Sequence, residues 1–526
     1  MTEELVYPDL QDATQVYNAL VGFGLFTEKL PSCFISEDLI TKLDDSELDG
    51  QLKSPYIEER TKEDGEISNK KIYYCGYIEY STIRNTNVAR VMGIPHPKAY
   101  IRQCKTITDN WDKINKTQVE LSNKTSFCHV RDYGNNSPIF KMNYLNGEKY
   151  LSRKLELEYS MKAKYRVNAD IANCFASIYT HSIPWGLVGK EISKQNTTNL
   201  LWYNQIDQDT RNIQDQQTVG LLIGPHSSNI LSEVILRQVD ENLSAKYPSF
   251  VRFIDDYKYY ATSFDDAKSF ISNLSKELKK FELRLNDKKT KIEKLPVSIE
   301  PAWILQLNLF TFKKHDKYSS ITLNSALQFL DYALQIHQQN NEDSAIFNYA
   351  FKILSNQAIY KTHIPRILNR IFHLILMYPY LIHYLENFIT NINVTLDLLY
   401  SAKFEDFIYQ LILNGINELQ PEPISFAMYF AIKYKIILDQ KVTDSIFASQ
   451  EDCILYVMLY HYCKINQLSV KKFSDFINSL TLKIDKDNYW LLAYECLSLD
   501  ALKEYDIFLH FLKTHHISFV KILVVT

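Results

Sequence analysis

Glycine is scarce, with 13 in 526 residues. That excludes glycine-rich phosphate loops and turn-rich all-β architectures as the organising theme. Cysteine is present eight times (Cys33, Cys75, Cys104, Cys128, Cys174, Cys453, Cys463, Cys496), but no CxxC pair occurs. No Cys/His cluster has zinc-ligand spacing, which argues against a structural metal. Long apolar runs are also missing. The stretch Ile371–Tyr380 contains His373 and meets Pro379, far short of the ~20 residues that span a bilayer. The N-terminus MTEELVYPDL is acidic and has no apolar core of a signal peptide. The expectation is a soluble, cytoplasmic protein with no membrane partner.

What is present is ordinary in bulk and uneven in detail. Hydrophobic residues make up 46% and charged residues 23%, the mix of a folded globular chain rather than a disordered one. At ~150 residues per domain, the length suggests about three domains. The 36 tyrosines and 28 phenylalanines, with few glycines between them, suit helices packed through large side chains. The net charge of -4 hides an asymmetry: residues 1–83 carry 7 Lys/Arg against 17 Asp/Glu, whereas residues 84–166 carry 16 against 7. A basic segment in an acidic chain is a candidate phosphate-binding face, or simply a solvated surface.

Three regions follow from the pattern. Residues 1–83 form an acidic N-terminal region with a polar, linker-like stretch, EERTKEDGEISNKK. Residues 84–318 alternate short β-rich runs (YRVNADI, VRFI, YKYYA) with helical pieces, as in an α+β domain. From 319 to 526 the pattern is helical: Leu323, Leu327, Leu330 and Leu334 mark an apolar stripe. Similar stripes recur to residue 513, separated by polar breaks such as QQNNED and LQPEP. An all-α, solenoid-like (HEAT-like) C-terminal domain is expected, although no repeat has a fixed period.

The chain has three Asp-Asp pairs. Asp44-Asp45 lies in an acidic tract, and Asp265-Asp266 follows Ser263-Phe264 as a helix N-terminus would. Asp255-Asp256 is bracketed by VRFI and YKYYA. That is a strand, a tight turn carrying two carboxylates, and a second strand. Aspartate is a common turn residue, so chemistry needs a further carboxylate. Asp170 supplies it at the end of YRVNAD. Carboxylates converging from strand ends suit two Mg²⁺ ions ~3.5–4 Å apart and in-line nucleotidyl transfer.

The ordered segments NADIANCFASIYTHSIPW, QTVGLLIGPHSSNILSE, RFIDDYKYYA and LRLNDKKTKI resemble the palm motifs of reverse transcriptases. Their wording, YTHSIPW above all, is closest to the bacterial defence-associated and abortive-infection (Abi-type) reverse transcriptases. The resemblance covers roughly residues 84–295 and implies a fingers–palm core. It makes Asp170, Asp255 and Asp256 the metal-binding catalytic residues, with the Ile171 carbonyl sharing an ion, and Mg²⁺ (Mn²⁺ as substitute) the cofactor. Phe175 corresponds to the steric gate that selects dNTPs over ribonucleotides. Gly224, with Gly220, Pro225 and Ser227, matches the motif behind nucleotide and template. Lys289 and Thr290 match an LN..KT pattern that places Lys289 near the leaving pyrophosphate. Upstream, ARVMGIPHPKAYIRQ resembles the fingers, so Arg90, Lys98 and Arg102 become triphosphate or template contacts.

The departures are specific. Phe253 stands for the Tyr of YxDD, and Leu222-Ile223 for the Pro-Gln common before the glycine. No thumb pattern and no RNase H signature is evident. Relatives of this kind include enzymes that prime from a protein hydroxyl, leaving DNA attached to protein without a conventional template. Others copy a non-coding RNA or act beside a second reverse transcriptase, and ring-like homo-oligomers recur. The expected activity is therefore RNA-directed or untemplated DNA polymerisation in phage defence. A rival reading keeps the palm catalytically idle and makes the helical half a phage-sensing scaffold. An RNA polymerase is disfavoured by Phe175. His181, His226, the His515-His516 pair, and Tyr460 and Tyr462 around His461 read as structural.

Overall fold

The fold was analysed as a computed structural model that describes residues 12–43, 45–61, 67–84, 89–114, 155–315 and 319–524. Asp44, residues 62–66 of the polar stretch, and residues 85–88 and 115–154 of the basic segment lie outside the described residues.

Among the described residues eight strands make three antiparallel sheets. β1 (Tyr56–Thr61) pairs with β2 (Ile67–Ile72), so the stretch read as linker-like forms a ladder instead. β3 (Tyr77–Thr82) pairs with β4 (Arg90–Pro95). The third sheet has the order β6-β7-β5-β8, built from β5 (Tyr165–Asp170), β6 (Phe250–Phe253), β7 (Asp256–Ala261) and β8 (Lys291–Lys294). β5 lies between β7 and β8, and its alternate residues Val167 and Ala169 are buried, the period of a strand with one packed face.

The helix Phe264–Lys280 covers this sheet, and its sequence explains its limits. Ser263 accepts a hydrogen bond from the Asp266 N–H, Asp265 and Asp266 occupy the first turn, and Lys279 and Lys280 the last. Cap and charges both favour a helix in that direction. Ala267, Phe270, Leu274 and Leu278 form its buried stripe, and Phe270 stacks on Tyr259 of β7 with ring centroids 4.3 Å apart. Burying a phenylalanine this fully contributes roughly 1.5–3 kcal/mol. The long helix His226–Ser244 packs beside it.

β4 runs into the helix Pro97–Asp109, which is capped by the His96 side chain and has Pro97 in its first turn, where a missing N–H costs nothing. The N-terminal helix Ala13–Phe23 packs on that helix, and the Tyr100 hydroxyl donates to the Leu20 carbonyl at 2.9 Å.

From Leu323 to Thr514 the described residues form helices without a strand. In Leu323–Gln339 the buried face is Ala326, Phe329, Leu330, Ala333 and Ile336, with Leu323, Leu327 and Leu334 along its flanks. The helices Pro421–Lys433 and Cys453–Ile465 are apolar all round and almost wholly buried, as central helices of a large core must be. Both touch β3. The end of the chain returns to its beginning: Phe34 bridges to Val520, and Lys521 donates to Asp38 at 2.9 Å. No described helix is long and apolar enough to cross a membrane.

Candidate active site

β5 ends at Asp170, directly opposite Asp256, the first residue of β7. Since β6 pairs Phe253 with Asp256, the connection is a two-residue turn, Ile254-Asp255. The Ile171 N–H donates to the Asp255 carbonyl at 3.1 Å, which fixes the end of β5 against this turn. The three aspartates and the Ile171 backbone are thus brought together.

The turn is strained and braced from beneath. Ile254 has φ +55°, a conformation that a β-branched residue rarely adopts. Arg252, fully buried in β6, donates to the Ile254 carbonyl at 2.8 Å. The same guanidinium reaches Glu233 at 2.8 and 3.0 Å and Asp240 at 2.9 Å, both on the helix His226–Ser244. Tyr257 adds its hydroxyl to Asp240 at 2.9 Å. Every donor in this buried group is aimed at an acceptor, the condition for ions to be tolerated in a core.

Above the turn, negative charge is only partly balanced. Burial, followed by repulsion from Asp255 and Asp170, pushes the Asp256 carboxyl up to about 6. Burial also raises Asp255, with Asp170 adding to the effect and Lys289 and Arg90 opposing it. Lys289 donates to Asp170 at 2.7 Å, and that bond holds its ammonium above the usual lysine range. Asn286 grips the same aspartate twice: its side-chain amide donates to Oδ1 at 3.0 Å and its backbone N–H to the carbonyl at 2.7 Å.

The remaining expected residues divide. Arg90, at the start of β4, is close enough for its charge and that of Asp255 to act on each other. Phe175 is half-buried on the turn of helix after Asp170, and its carbonyl accepts from the Leu221 N–H at 2.8 Å. This ties the two motif segments together. Gly224 has φ +131°, and a Cβ there would stand 3.0 Å from the Gly93 carbonyl. With the Gly93 N–H bonded to the Ile223 carbonyl at 2.8 Å, the glycine lets the segment lie directly on β4.

Lys98 and Arg102 are not brought to the aspartates. Lys98 is buried with its ammonium 4.2 Å from the Tyr56 ring centre and 5.8 Å from that of Phe508. Arg102 donates to Asp209 at 3.1 Å and lies over Tyr73. The stems of both pack the helix Pro97–Asp109 against its neighbours, and that use of the side chain takes the charge away from the palm.

His181 binds Asp207 at 2.7 Å, His461 lies 3.1 Å from Glu495, and the Tyr462 hydroxyl receives the Leu438 N–H at 2.6 Å. These are structural uses, as is the His515 contact with Glu47 at 3.0 Å.

Asn286, Arg252, Glu233 and Asp240 were missed from sequence. Asn286 stood within the LN..KT pattern, and Arg252 was the one charge inside the apolar run VRFI.

Among the described residues no group of three or more His, Cys, Asp or Glu side chains is arranged to hold a metal ion. The donor chemistry nevertheless fits a hard cation. All the acceptors are carboxylate or carbonyl oxygens, and the raised Asp255 and Asp256 show charge that a cation would relieve.

Comparison with known proteins places this geometry. Residues 97–322 match the family model described as reverse transcriptase (RNA-dependent DNA polymerase). No curated protein matches the sequence. Among solved structures, apo telomerase from Candida tropicalis truncated from its C-terminal domain aligns at 13% identity and TM-score 0.29. That alignment covers 50% of this chain and 57% of the telomerase, so the chain spans little more than half the length of that neighbour. Apo telomerase from the same organism aligns at 12% identity and TM-score 0.31, over 78% of this chain and 74% of the other. Its complex with a fragment of telomeric RNA gives 12% and 0.30, over 88% and 71%. Likenesses at that score carry no argument about function. Residues 97–322 thus resemble a reverse transcriptase domain, and the strand order sets Asp170 beside Asp255-Asp256.

Proposed function

We propose that the protein is a divalent-metal-dependent DNA polymerase of the reverse transcriptase type, acting in phage defence by abortive infection. The observation that carries the polymerase reading is the convergence of Asp170 with the Asp255-Asp256 turn, where repulsion and burial leave two carboxyls above their ordinary range. The defence role rests on the wording of the motifs, which resembles the Abi-type enzymes.

In this reading Asp170, Asp255, Asp256 and the Ile171 carbonyl hold two Mg²⁺ ions, with Mn²⁺ able to substitute. Bound there, the metal supplies Lewis-acid activation of the attacking hydroxyl and charge neutralisation at the phosphates. A primer hydroxyl attacks the α-phosphorus of a dNTP; the new P–O bond forms as the bond to pyrophosphate breaks. Lys289, within 2.7 Å of Asp170, is placed to neutralise the departing pyrophosphate. Phe175 blocks a ribose 2′-OH, and Arg90 meets the triphosphate. The product is DNA, joined to a protein hydroxyl in the protein-primed version or copied from a non-coding RNA. The partner in this reading is a non-coding RNA or a second reverse transcriptase, with self-assembly into a homo-oligomer.

The test is nucleotide incorporation by the purified chain with Mg²⁺, comparing dNTPs with NTPs. Asp255→Asn/Asp256→Asn serves as control, and products are run on denaturing gels before and after protease. Incorporation of dNTPs that the double variant abolishes supports the reading, and protease-sensitive mobility identifies protein-linked DNA. Absence of incorporation with co-purified RNA retained refutes it and favours the scaffold alternative.

A further inference from the structure

The helix Ile364–Met377 and the turn before it carry positive charge that few carboxylates meet. Residues 344–385 hold four Lys/Arg (Lys352, Lys361, Arg366, Arg370) and no Asp/Glu. At the chain-wide frequency of 62 in 526, about five acids would fall there. The helix starts with no side-chain cap and no acid in its first turn, where Arg366 stands instead. A cation at the positive end of a helix dipole is unfavourable unless an anion joins it.

Three short segments set these groups on one surface. Lys314 pairs antiparallel with Ile321, and Ile321 pairs in parallel with Ile359. The Ile321 N–H donates to the Ala358 carbonyl at 2.8 Å. Ile321 is buried, so Lys313, His315 and Tyr360, each one position from a paired residue, share the opposite face. The His315 and His363 ring centres lie 5.5 Å apart, and Tyr360 meets His363 edge-on at 5.8 Å. Burial first, then the charges of His315 and Arg366, push the His363 pKa down, which places all three groups within reach of one another.

The chemistry of this face specifies its partner. Arg370 is neutralised by Asp331 at 2.7 Å, whereas among the described residues no carboxylate pairs with Lys313, Lys361 or Arg366. Those three side chains are exposed, and Tyr360 is 46% exposed. An exposed ring among unpaired cations is the combination that holds a single strand of nucleic acid, with cations on the phosphates and the ring on a base. A duplex would engage the cations alone, because its bases are already stacked within it.

We propose that this surface binds single-stranded nucleic acid outside the palm, with Lys313, Lys361 and Arg366 on its phosphates and Tyr360 stacked on a base. The inference rests on the polymerase reading for the origin of the strand, as template or product. The surface straddles residue 322, where the reverse transcriptase match ends, and so belongs to the junction of the palm with the helical half.

The test is fluorescence anisotropy of a labelled oligothymidylate with the full chain, measured from low to high sodium chloride. Each phosphate neutralised adds about 0.7 to the slope of log affinity against log salt for a single strand. Lys313→Gln/Lys361→Gln/Arg366→Gln should therefore lower the slope by about 2 and the affinity at least ten-fold. The control Lys441→Gln/Lys471→Gln/Lys503→Gln removes exposed lysines elsewhere on the helical half and should leave both as they were. Tyr360→Ala should weaken the complex at least five-fold with the slope kept. Nucleotide incorporation by the same proteins separates the two readings, since Asp255→Asn/Asp256→Asn should lose incorporation and keep the wild-type slope. A slope lowered by the triple variant in a chain that incorporates nothing upholds this surface and not the polymerase. A slope and affinity unchanged in the triple variant, a loss equal to that of the control, or an oligonucleotide that does not bind where vesicles of anionic lipid do, overturns the proposal.

Discussion

Arg252 should matter more to the Ile254-Asp255 turn than any residue on its exposed side. Its guanidinium is fully buried, as are the carboxylates of Glu233 and Asp240 that it joins. Replacing it with methionine keeps the bulk of the stem but leaves Asp240 without its arginine, Glu233 with Arg237 alone at 3.4 Å, and the Ile254 carbonyl without its 2.8 Å donor. Breaking a buried ion pair costs roughly 3–5 kcal/mol. At about 1.4 kcal/mol per decade, the opening equilibrium of β6–β7 should shift between roughly a hundred- and several thousand-fold. Hydrogen exchange of the β6 and β7 amides reads this directly and does not require the whole chain to unfold in one step.

The pH dependence gives a second check on the cause. In Arg252→Met, Asp240, whose carboxyl burial already raises, loses the cation that opposes that rise and climbs further above its unfolded value. A raised acid is penalised above its folded pKa, and the penalty fades as pH falls through that value towards the unfolded one. The exchange deficit should therefore be largest near pH 7.5 and shrink as the medium is acidified. Adding Glu233→Gln and Asp240→Asn to Arg252→Met should recover more than half of the loss. If protection of β6–β7 changes less than ten-fold, or if the triple variant is no better than the single, the guanidinium does not brace the turn.

Asp256→Asn should raise the melting temperature of the metal-free protein at pH 7.5, because burial and its neighbours disfavour the ionised carboxyl, whose pKa is about 6. The advantage should fade from pH 6 towards pH 4, and calorimetry across that range measures it. Gly224→Ala puts a side chain at φ +131° and 3.0 Å from the Gly93 carbonyl; a cost of about 1–3 kcal/mol should appear as faster exchange where β4 meets this segment. Phe175→Ala should lower the preference for dNTPs over NTPs at least ten-fold in single-nucleotide incorporation if the ring guards the sugar, and leave it unchanged if the ring serves only the core. Lys289→Met should slow incorporation by about 10²-fold, the loss of one charge that stabilises the departing pyrophosphate, with little change in melting temperature because the side chain is 65% exposed.

What could be read from the sequence was local. The β-rich runs YRVNAD and YKYYA, and the acidic pair Asp265-Asp266 suited to a helix N-terminus, each report on neighbours within a few residues. So β5, the β6–β7 hairpin and the start of the helix Phe264–Lys280 stand where they were expected. The β1–β2 ladder escaped because Glu58–Thr61 and Ser68–Lys71, between its apolar ends, carry no apolar residue, so no period distinguishes strand from linker. Counting basic residues located a charged segment, but charge balance carries no direction. Arg90 comes within electrostatic reach of Asp255, whereas Lys98 and Arg102, a few residues on, use their stems to pack the fingers. The site shows the same limit. Asp170 and Asp255-Asp256 announce themselves at strand ends, yet Glu233 and Asp240 lie 19 and 12 positions before Arg252 on a helix. Nothing in the run VRFI names those partners, but an arginine there could not be buried without them. An isolated charge within an apolar strand is therefore a signal in its own right: it reports that acidic partners exist elsewhere in the chain. Here those partners underlie the turn that presents the two catalytic carboxylates of the proposed polymerase.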